Sequence, residues 1–360
     1  MHKLATGIIA APPIPFNEDA SIDWPRLERY IAQVAQGGPR AIAMTMAASA
    51  YHREGGISGV SMGLKDLDKL LGGLQRSDLV ILAGRPAMGK TALGTNIAFN
   101  AALSRARAQA SWDGQGDAPD DGAVVAFFSL EMSAEQLATR ILAERAGVPS
   151  ERIRRGQIQD HEYFALVDAA REIESIPLYI DDTGGLSIAA LAARARRLKR
   201  QSGLGLIVID YLQLVTPAGA RRADSRVQEV TEITQGLKAL AKELDVPILA
   251  LAQLSRQVEQ RDDKRPQLAD LRESGSIEQD ADAVLFVYRE EYYLARREPK
   301  PGSEDYPRWQ EEMDKVHGLA EIIVGKHRHG PTGMVKLQFQ AELTRFGDYI
   351  ADTHLPGSAF

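Results

Sequence analysis

One stretch of eight residues restricts the possible folds of this chain more than any other part of the sequence. It has two glycines separated by four residues and followed by lysine and threonine, the G-x-x-x-x-G-K-T pattern of a phosphate-binding loop. Residues 79–83 before it are apolar like a buried strand, and residues 92–103 after it have helical composition. The helix N-terminus can therefore point backbone N–H groups at a phosphate. The predicted nucleotide-binding residues are Gly84, Arg85, Pro86, Ala87, Met88, Gly89, Lys90 and Thr91.

This loop predicts ATP and Mg²⁺ as cofactors. Lys90 is expected to reach the β- and γ-phosphates, and the Thr91 hydroxyl to bind magnesium. A second magnesium contact comes from an acidic residue at the end of a neighbouring buried strand. Asp210 follows four apolar residues, 206–209, and fits that position. The alternative for Asp210 is a helix cap or a turn former.

Two further polar residues follow apolar runs and are candidates for hydrolytic chemistry. Glu131 comes after the apolar stretch that begins at residue 124, just before Ser133 and Gln136, which have capping-box spacing. A carboxylate at a strand's carboxyl end can orient and deprotonate the attacking water. Gln253 ends another apolar run and can hydrogen-bond the γ-phosphate or that water. Each has an equally ordinary alternative, a solvated loop carboxylate for Glu131 and a polar residue leaving a strand for Gln253.

From residue 51 onward, strands and helices alternate. Most of the early strand candidates are continuous apolar runs, as expected for strands buried on both faces of a parallel sheet. Residues 226–244 carry an apolar stripe at helical spacing. The pattern predicts an α/β fold over residues 51–360, with a mostly parallel twisted sheet flanked by helices. The strand candidates are residues 79–83, 124–129, 178–180, 206–210, 248–253, 283–288, 320–324 and 334–339.

Composition excludes several classes of protein. The 360 residues contain no cysteine, so disulfides, a thiol nucleophile and thiolate-bound metals are excluded. The net charge is -6, so contact with nucleic acid must depend on local basic clusters. There is no run of 18 apolar residues, and the first residues lack the continuous apolar core that a signal peptide is expected to have. We expect a cytoplasmic protein without a membrane partner.

Residues 1–50 differ from the remainder. Apolar residues 6–11 and 41–46 are strand candidates, and Asp23 can cap a helix between them, which gives a small strand-helix-strand appendage. The runs 7–10, 15–19 and 21–23 resemble the opening of the dihydrodipicolinate synthase and N-acetylneuraminate lyase family of aldolase barrels. That likeness stops near residue 50, whereas such a barrel takes about 250 residues. We expect a barrel-like fragment without lyase activity.

A basic turn near the C-terminus, residues 325–331, follows a strand candidate. Strand alternation places Lys326 and Arg328 on one face and His327 and His329 on the other. Two cations on one face of an edge strand suit insertion into a neighbouring subunit's phosphate site as an arginine finger. The histidine spacing is weak support for a metal site.

Residues 55–350 resemble the C-terminal motor domain of the DnaB-type replicative DNA helicases, a RecA-like family of hexameric ATPases. The resemblance implies a RecA-like fold, with Lys90 and Thr91 for phosphate and magnesium, and Asp210 for magnesium. It also implies Glu131 as catalytic base, Gln253 as γ-phosphate sensor, and Lys326 and Arg328 acting in trans. The residues that carry the resemblance are 63–68, 71–74, 84–91, 128–132, 210–214, 253–256, 270–280 and 326–333.

The resemblance also places Arg272 and Gly275 in a loop that faces single-stranded DNA. A glycine-flanked loop offers backbone N–H groups to phosphates, and Arg272 adds charge. A second basic loop and helix start contains Arg221, Arg222 and Arg226. Each of these arginines has the alternative of being a solvated surface side chain.

The implied function is an ATP-dependent DNA helicase motor that translocates on single-stranded DNA. The alternative is a RecA-like ATPase in recombination or regulation that does not unwind DNA. The family's helical N-terminal domain and linker helix, which hold the ring together and contact primase, have no counterpart in residues 1–50. We therefore expect a weakened hexameric ring, and primase and a helicase loader as partners of full-length relatives.

Overall fold

A computed structural model gives the fold of most of the chain. For residues 226 and 272–276 the structure describes the backbone and not the side chains. The chain divides into two units, Met1–Ser58 and Gly59–Phe360. The described residues are 57–114, 121–217 and 226–350, with the backbone of residues 9–10 and 41–42.

In the first unit, two short strands pair in parallel. They are β1 (Ile9–Ala10) and β2 (Ala41–Ile42). Each lies within one of the two predicted strands. The helix predicted to begin near Asp23 lies outside the described residues.

The second unit is built on a mixed sheet. Six neighbouring strands are parallel, and three antiparallel strands extend one side. The spatial order is β11-β10-β9-β8-β3-β7-β6-β4-β5. This confirms the predicted mostly parallel α/β fold. The strands are β3 (Leu79–Gly84), β4 (Val124–Ser129), β5 (Leu178–Asp181), β6 (Leu204–Asp210), β7 (Ile248–Gln253), β8 (Ala283–Tyr288), β9 (Leu319–His327), β10 (Gly333–Gln340) and β11 (Arg345–Asp348).

Helices connect the strands. Local caps mark the ends of some of them. Ser133 and Gln136 form the predicted capping box, and Gly147 ends that helix in a left-handed conformation. Short 3₁₀ helices cover Leu212–Leu214, Arg256–Gln260 and Leu268–Ser274. The α-helices are α1 (Lys65–Leu71), α2 (Lys90–Ser111), α3 (Ala134–Ala146), α4 (Ser150–Arg155), α5 (Asp160–Ser175), α6 (Ile188–Ser202), α7 (Arg226–Leu244), α8 (Gly275–Asp280), α9 (Glu290–Ala295) and α10 (Tyr306–Val316).

The core lies on both faces of the sheet. Along β3, Val80 and Leu82 belong to the apolar cluster that includes Ile97 of α2. The alternate residue Ile81 belongs to the opposite cluster, which includes Ile233 of α7. Because successive strand side chains point to opposite faces, a strand covered on both sides must be apolar throughout. The continuous apolar runs in the sequence have this cause.

The carboxyl ends of four adjacent parallel strands meet at one edge of the sheet. Gly84 of β3 lies opposite Gln253 of β7, and Ser129 of β4 lies opposite Asp210 of β6. Ligands bind at this edge in open α/β sheets. The register therefore brings together loop residues that are far apart in the sequence.

The sequence pattern missed one strand and misplaced one side chain. Strand β11 has four residues, of which Phe346 alone is buried, so it has no run of apolar residues. Val227 is predicted in the buried stripe of α7, but 44% of it is exposed, because it lies in the first turn of the helix. Within the described residues, no helix is long and apolar enough to cross a membrane.

Candidate nucleotide-binding site

The loop between β3 and α2 has the geometry of an anion-binding turn. Met88 donates its backbone N–H to the Arg85 carbonyl at 3.3 Å, and α2 begins at Lys90. Ala87 and Gly89 have φ values of 66° and 95°, in the left-handed region. Successive amides in such conformations form a concave cluster of N–H groups at a helix N-terminus. The strand-loop-helix context expected from the sequence is present.

The charge of Lys90 is buried in this loop. Its Nζ donates to the Arg85 carbonyl at 3.2 Å. Burial lowers the pKa of Lys90 to about 8, although the negative charges of Asp210 and Glu131 act in the opposite direction. A phosphate group at this position would supply the counter-charge that burial makes favourable.

Two of the predicted loop residues, Arg85 and Met88, direct their side chains away from the cavity around Lys90, and Gly84 is needed for space. Arg85 donates to Glu259 Oε1 and to the Leu254 carbonyl, each at 2.9 Å. Met88 is buried in the core. A Cβ atom on Gly84 would lie 3.2 Å from Lys90 Cγ, so glycine leaves room for the lysine.

Asp210 and Thr91 fit a magnesium ion. Asp210 is 1% exposed, and its Oδ2 has no hydrogen-bond partner among the residues that the structure describes. Burial raises the pKa of Asp210 to about 6, the Thr91 hydroxyl lowers it, and the charge of Glu131 raises it further. A buried carboxylate with one unpartnered oxygen, beside a hydroxyl, has the hard oxygen donors that magnesium prefers.

Glu131 and Gln253 lie at the same cavity as the phosphate loop. The cavity has a volume of about 320 Å³. The turn that carries Glu131 is held to β6, since Leu130 donates its N–H to the Asp210 carbonyl at 2.7 Å. The residues that line the cavity are Pro86, Ala87, Gly89, Lys90, Thr91, Ala92, Glu131, Arg140, Asp210, Tyr211, Gln253, Phe339 and Thr344.

Arg140 of α3 is a cavity residue that the sequence analysis missed. Burial lowers its pKa, while Asp210 and Glu131 attract the charged form. The capping box at Ser133 fixes where α3 begins, directly after Glu131, so this helix passes close to the cavity. The closeness of α3 to Glu131 in the sequence could have indicated that some residue of this helix lines the cavity. Which residue does so depends on how α3 packs.

Lys326 and Arg328 lie elsewhere in the subunit. Lys326 Nζ donates to the carbonyls of Glu278 and Ala281 at 2.6 and 2.7 Å, at the C-terminal end of α8. Arg328 donates to Asp282 Oδ1 at 3.0 Å. Neither residue lines the cavity around Lys90. A contribution of either residue to another subunit's site stays a prediction.

A cluster of acidic residues next to Arg328 is neutralised by cations. Asp78, Asp282 and His329 have ligand atoms within 4.8 Å of one another. Lys238 forms ion pairs with both Asp78 and Asp282. Arg328 pairs with Asp282 as well. Lys238 and Arg328 already compensate the negative charge that a metal ion would require. We therefore interpret the cluster as an ion-pair network.

The residues predicted to contact DNA are only partly described. Arg272 lies in the 3₁₀ helix Leu268–Ser274, and Gly275 begins α8. Arg226 begins α7. Arg221 and Arg222 lie outside the described residues. The contribution of these residues to DNA binding stays a prediction.

We expect Asp210→Asn to stabilise the unliganded chain while abolishing magnesium-dependent hydrolysis. The folded pKa of about 6 lies above the ordinary value of 3.8, so the ionised carboxylate disfavours the folded state at pH 7. The gain is on the order of 2–3 kcal/mol at pH 7 and disappears as the pH falls through 6 towards 4. Urea unfolding at pH 7 and at pH 4 measures this gain in the free energy of unfolding. The control is Asp168→Asn, which replaces an exposed aspartate. An unchanged or lower free energy of unfolding at pH 7 would contradict this account.

Comparison with known proteins places the chain among replicative helicase sequences. The family model described as the DnaB-like helicase C-terminal domain matches residues 59–348. The chain is 51% identical over 294 residues to a replicative DNA helicase DnaB from Rickettsia bellii, covering 81% of this chain and 57% of the relative. It is 44% identical over 296 residues to the DnaB of Geobacillus stearothermophilus, covering 82% and 58%. The chain thus spans somewhat over half the length of these relatives.

Solved structures show the same fold. A solved ATPase domain superposes with a TM-score of 0.69 at 33% identity, covering 90% of this chain and 99% of that one. A DnaB-like replicative helicase, described with its interactions with primase, superposes with the same TM-score and identity. The match covers 90% of this chain and 71% of that one. The matches to the family and to the Rickettsia relatives give no support to the aldolase resemblance of residues 1–50, since the family match begins at residue 59. This chain belongs to the family of DnaB-like helicase C-terminal domains.

Proposed function

We propose that residues 51–360 form the ATP-driven motor of a replicative DNA helicase, which moves along single-stranded DNA and separates duplex strands. The observation that carries the proposal is the convergence of five groups on one cavity, at the carboxyl ends of four adjacent parallel strands. These groups are Lys90, Thr91, Asp210, Glu131 and Gln253. Family membership supports the same activity.

The cavity contains the groups that hydrolysis of ATP requires. The Glu131 carboxylate accepts a proton from water while the water oxygen attacks the γ-phosphorus, and the bond to the β,γ-bridging oxygen breaks. Lys90 and Arg140 supply positive charge to the phosphates, and Gln253 can orient the γ-phosphate or the water. Magnesium, held by Thr91 and Asp210, neutralises phosphate charge when bound. The products are ADP and phosphate.

Catalysis is completed between subunits. Lys326 and Arg328 are cations outside the cavity of their own chain, as residues that act in trans must be. We propose a ring, by family likeness a hexamer, in which each subunit inserts these residues into its neighbour's site. Primase and a helicase loader are the protein partners that this assignment implies. The structure of a DnaB-like relative with primase supports the first of these for that relative.

DNA binding is expected to depend on nucleotide and on salt. The chain has a net charge of -6, so attraction to DNA must come from clustered cations. We expect weak binding that tightens with ATP and falls steeply as salt increases. Arg272→Ala should lower DNA-stimulated hydrolysis more than basal hydrolysis, and should reduce the salt slope by about 0.7 for single strands. Titration of labelled oligonucleotides at several salt concentrations measures this.

The matched control is Arg308→Ala, which removes an exposed arginine of α10 paired with Glu312 one turn away. Its DNA affinity and salt slope should equal those of the parent chain. Equal affinity for duplex and single strands, with no effect of nucleotide, would contradict the motor function.

Unwinding of a forked duplex tests the function itself. With ATP and magnesium, the chain should release the labelled strand, and Glu131→Gln should not. A RecA-like ATPase of recombination or regulation would hydrolyse ATP with DNA present and leave the fork intact. Assays over a range of protein concentrations are needed, because the proposed sites form between subunits.

A further inference from the structure

The hairpin formed by β10 and β11 makes one wall of the nucleotide cavity. Phe339 of β10 and Thr344 of the connecting turn line the cavity together with residues of the phosphate loop. The Phe339 and Phe346 rings pack together, with centroids 4.7 Å apart. A Cβ atom on Gly89 would lie 2.9 Å from Phe346 Cζ, so this ring packs directly against the phosphate loop. The hairpin's position relative to α2 therefore sets the shape of the cavity.

A buried amide joins the hairpin to the helix that follows the loop. Asn96 lies in the second turn of α2 and is 1% exposed. Its Oδ1 accepts the backbone N–H of Phe346 at 2.7 Å, and its Nδ2 donates to Glu144 Oε2. The bond to Phe346 fixes the orientation of the amide, because a backbone N–H can only donate, which leaves Nδ2 to face Glu144. Asn96 does not itself line the cavity.

The bond to Glu144 connects Asn96 to α3, which forms another wall of the cavity. Glu144 follows Arg140 by one turn of α3, and Arg140 lines the cavity. Asn96 is thus bonded to α3 on one side and to β11 on the other, from within α2, which carries Lys90 and Thr91. One polar side chain thus connects three of the elements that line the cavity.

We propose that Asn96 is a positioning residue for nucleotide binding, holding the β10–β11 hairpin and α3 against the phosphate-loop helix. The inference rests on the proposed ATPase site and adds a determinant of its affinity. The hairpin presents an aromatic ring and a hydroxyl, which suit the base and sugar of a nucleoside diphosphate or triphosphate better than its phosphates. The effect should therefore be shared by ADP and ATP.

The first test compares two asparagines of one helix. Asn100 lies one turn beyond Asn96 and donates to the Met62 carbonyl at 3.1 Å, away from the hairpin. Asn96→Ala should weaken ADP binding about tenfold and raise the KM for ATP, with a much smaller change in kcat. The reason is that the Phe346 N–H loses its acceptor, so the β10–β11 hairpin is no longer held against α2. Asn100→Ala should lower the melting temperature by a similar amount and leave ADP affinity unchanged. Equal ADP affinity in both variants would overturn the proposal.

The second test exchanges the two partners. In Asn96→Asp, a carboxylate still accepts from Phe346 but faces the carboxylate of Glu144, so ADP binding should weaken about tenfold. Adding Glu144→Gln should restore it to within about threefold, because the glutamine amide donates to the aspartate. Glu144→Gln alone should bind nearly normally. A double variant that is folded and as weak as Asn96→Asp would overturn the proposal.

The exchange is assayed at about pH 8.5, where Glu144 is ionised. Burial raises the pKa of Glu144 to about 7, against the lowering effects of Arg345 of β11, Arg145 of α3 and the Asn96 hydrogen bond. ADP binding by Lys90→Ala separates this inference from the function on which it rests. If Lys90→Ala binds ADP normally, the nucleotide site itself is wrong. If only the Asn96 variants bind normally, the site stands and the positioning role fails.

Discussion

Replacement of Lys90 by alanine should reduce ATP hydrolysis by about a hundredfold to a thousandfold, as expected for loss of a charge aimed at the reacting group. The lysine is the only cation among the eight residues of the phosphate loop whose side chain lines the cavity. Burial lowers the pKa of Lys90 to about 8 in the unliganded chain, so the side chain is still largely protonated at pH 7. A bound phosphate supplies an opposite charge to this buried ammonium group and favours its charged form, so the lysine should interact strongly with the nucleotide. The steady-state rate at which phosphate is produced and the affinity for ADP should both fall.

Replacement of Glu131 by glutamine should separate binding from turnover. The glutamine is close in size but cannot accept the proton, so hydrolysis should fall by about 10² to 10⁴ while nucleotide affinity is retained. The control is Glu135→Gln, which removes one negative charge from the first turn of α3, close to the site. It should hydrolyse ATP nearly normally. A Glu131→Gln variant with the parental rate would show that Glu131 is not the base.

Mixing two inactive variants should restore activity if Arg328 acts in trans. Arg328→Ala keeps its phosphate loop, and Lys90→Ala keeps its finger, so an interface between them contains one intact site. Random assembly of equal amounts makes about a quarter of the interfaces intact. Loss of an arginine finger costs about a thousandfold or more, so even that fraction is readily measured.

The control mixes Lys90→Ala with Glu131→Gln. Both changes affect the phosphate-loop side of the interface, so no site is restored. The specific activity of the parent chain should also rise with protein concentration, because an isolated subunit lacks the finger. Absence of recovery in mixtures shown to co-assemble would refute the trans role. A monomer with concentration-independent activity would refute the oligomeric motor.

For Arg328 to reach a neighbouring phosphate, it must exchange one partner for another. In the subunit its guanidinium is bonded to Asp282, which is also paired with Lys238. When Arg328 leaves, Lys238 still compensates the buried carboxylate. The exchange is therefore less costly than the removal of the sole partner of a buried charge would be.

Much of the fold could be predicted from the sequence because its signals are local. The apolar runs at 124–129, 248–253 and 283–288 coincide with strands β4, β7 and β8. Strands β9 and β10 extend beyond the predicted ranges into mainly glycine and polar residues, because antiparallel pairing with the neighbouring strands continues there. β11 was missed because pairing with β10, rather than its own composition, makes it a strand.

The sequence alone determined the phosphate loop, because its strand, turn and helix are contiguous and its chemistry depends on residue types at fixed spacing. It also marked Asp210, Glu131 and Gln253 as candidates, each with an ordinary alternative. Only the tertiary structure decided that these side chains share a cavity with Arg140, since the strand order β3-β7-β6-β4 is not the chain order. The bond between Asn96 and Phe346 joins residues 250 positions apart. Such contacts have no local signal, because packing of the whole sheet, and not the neighbouring sequence, brings the two groups together.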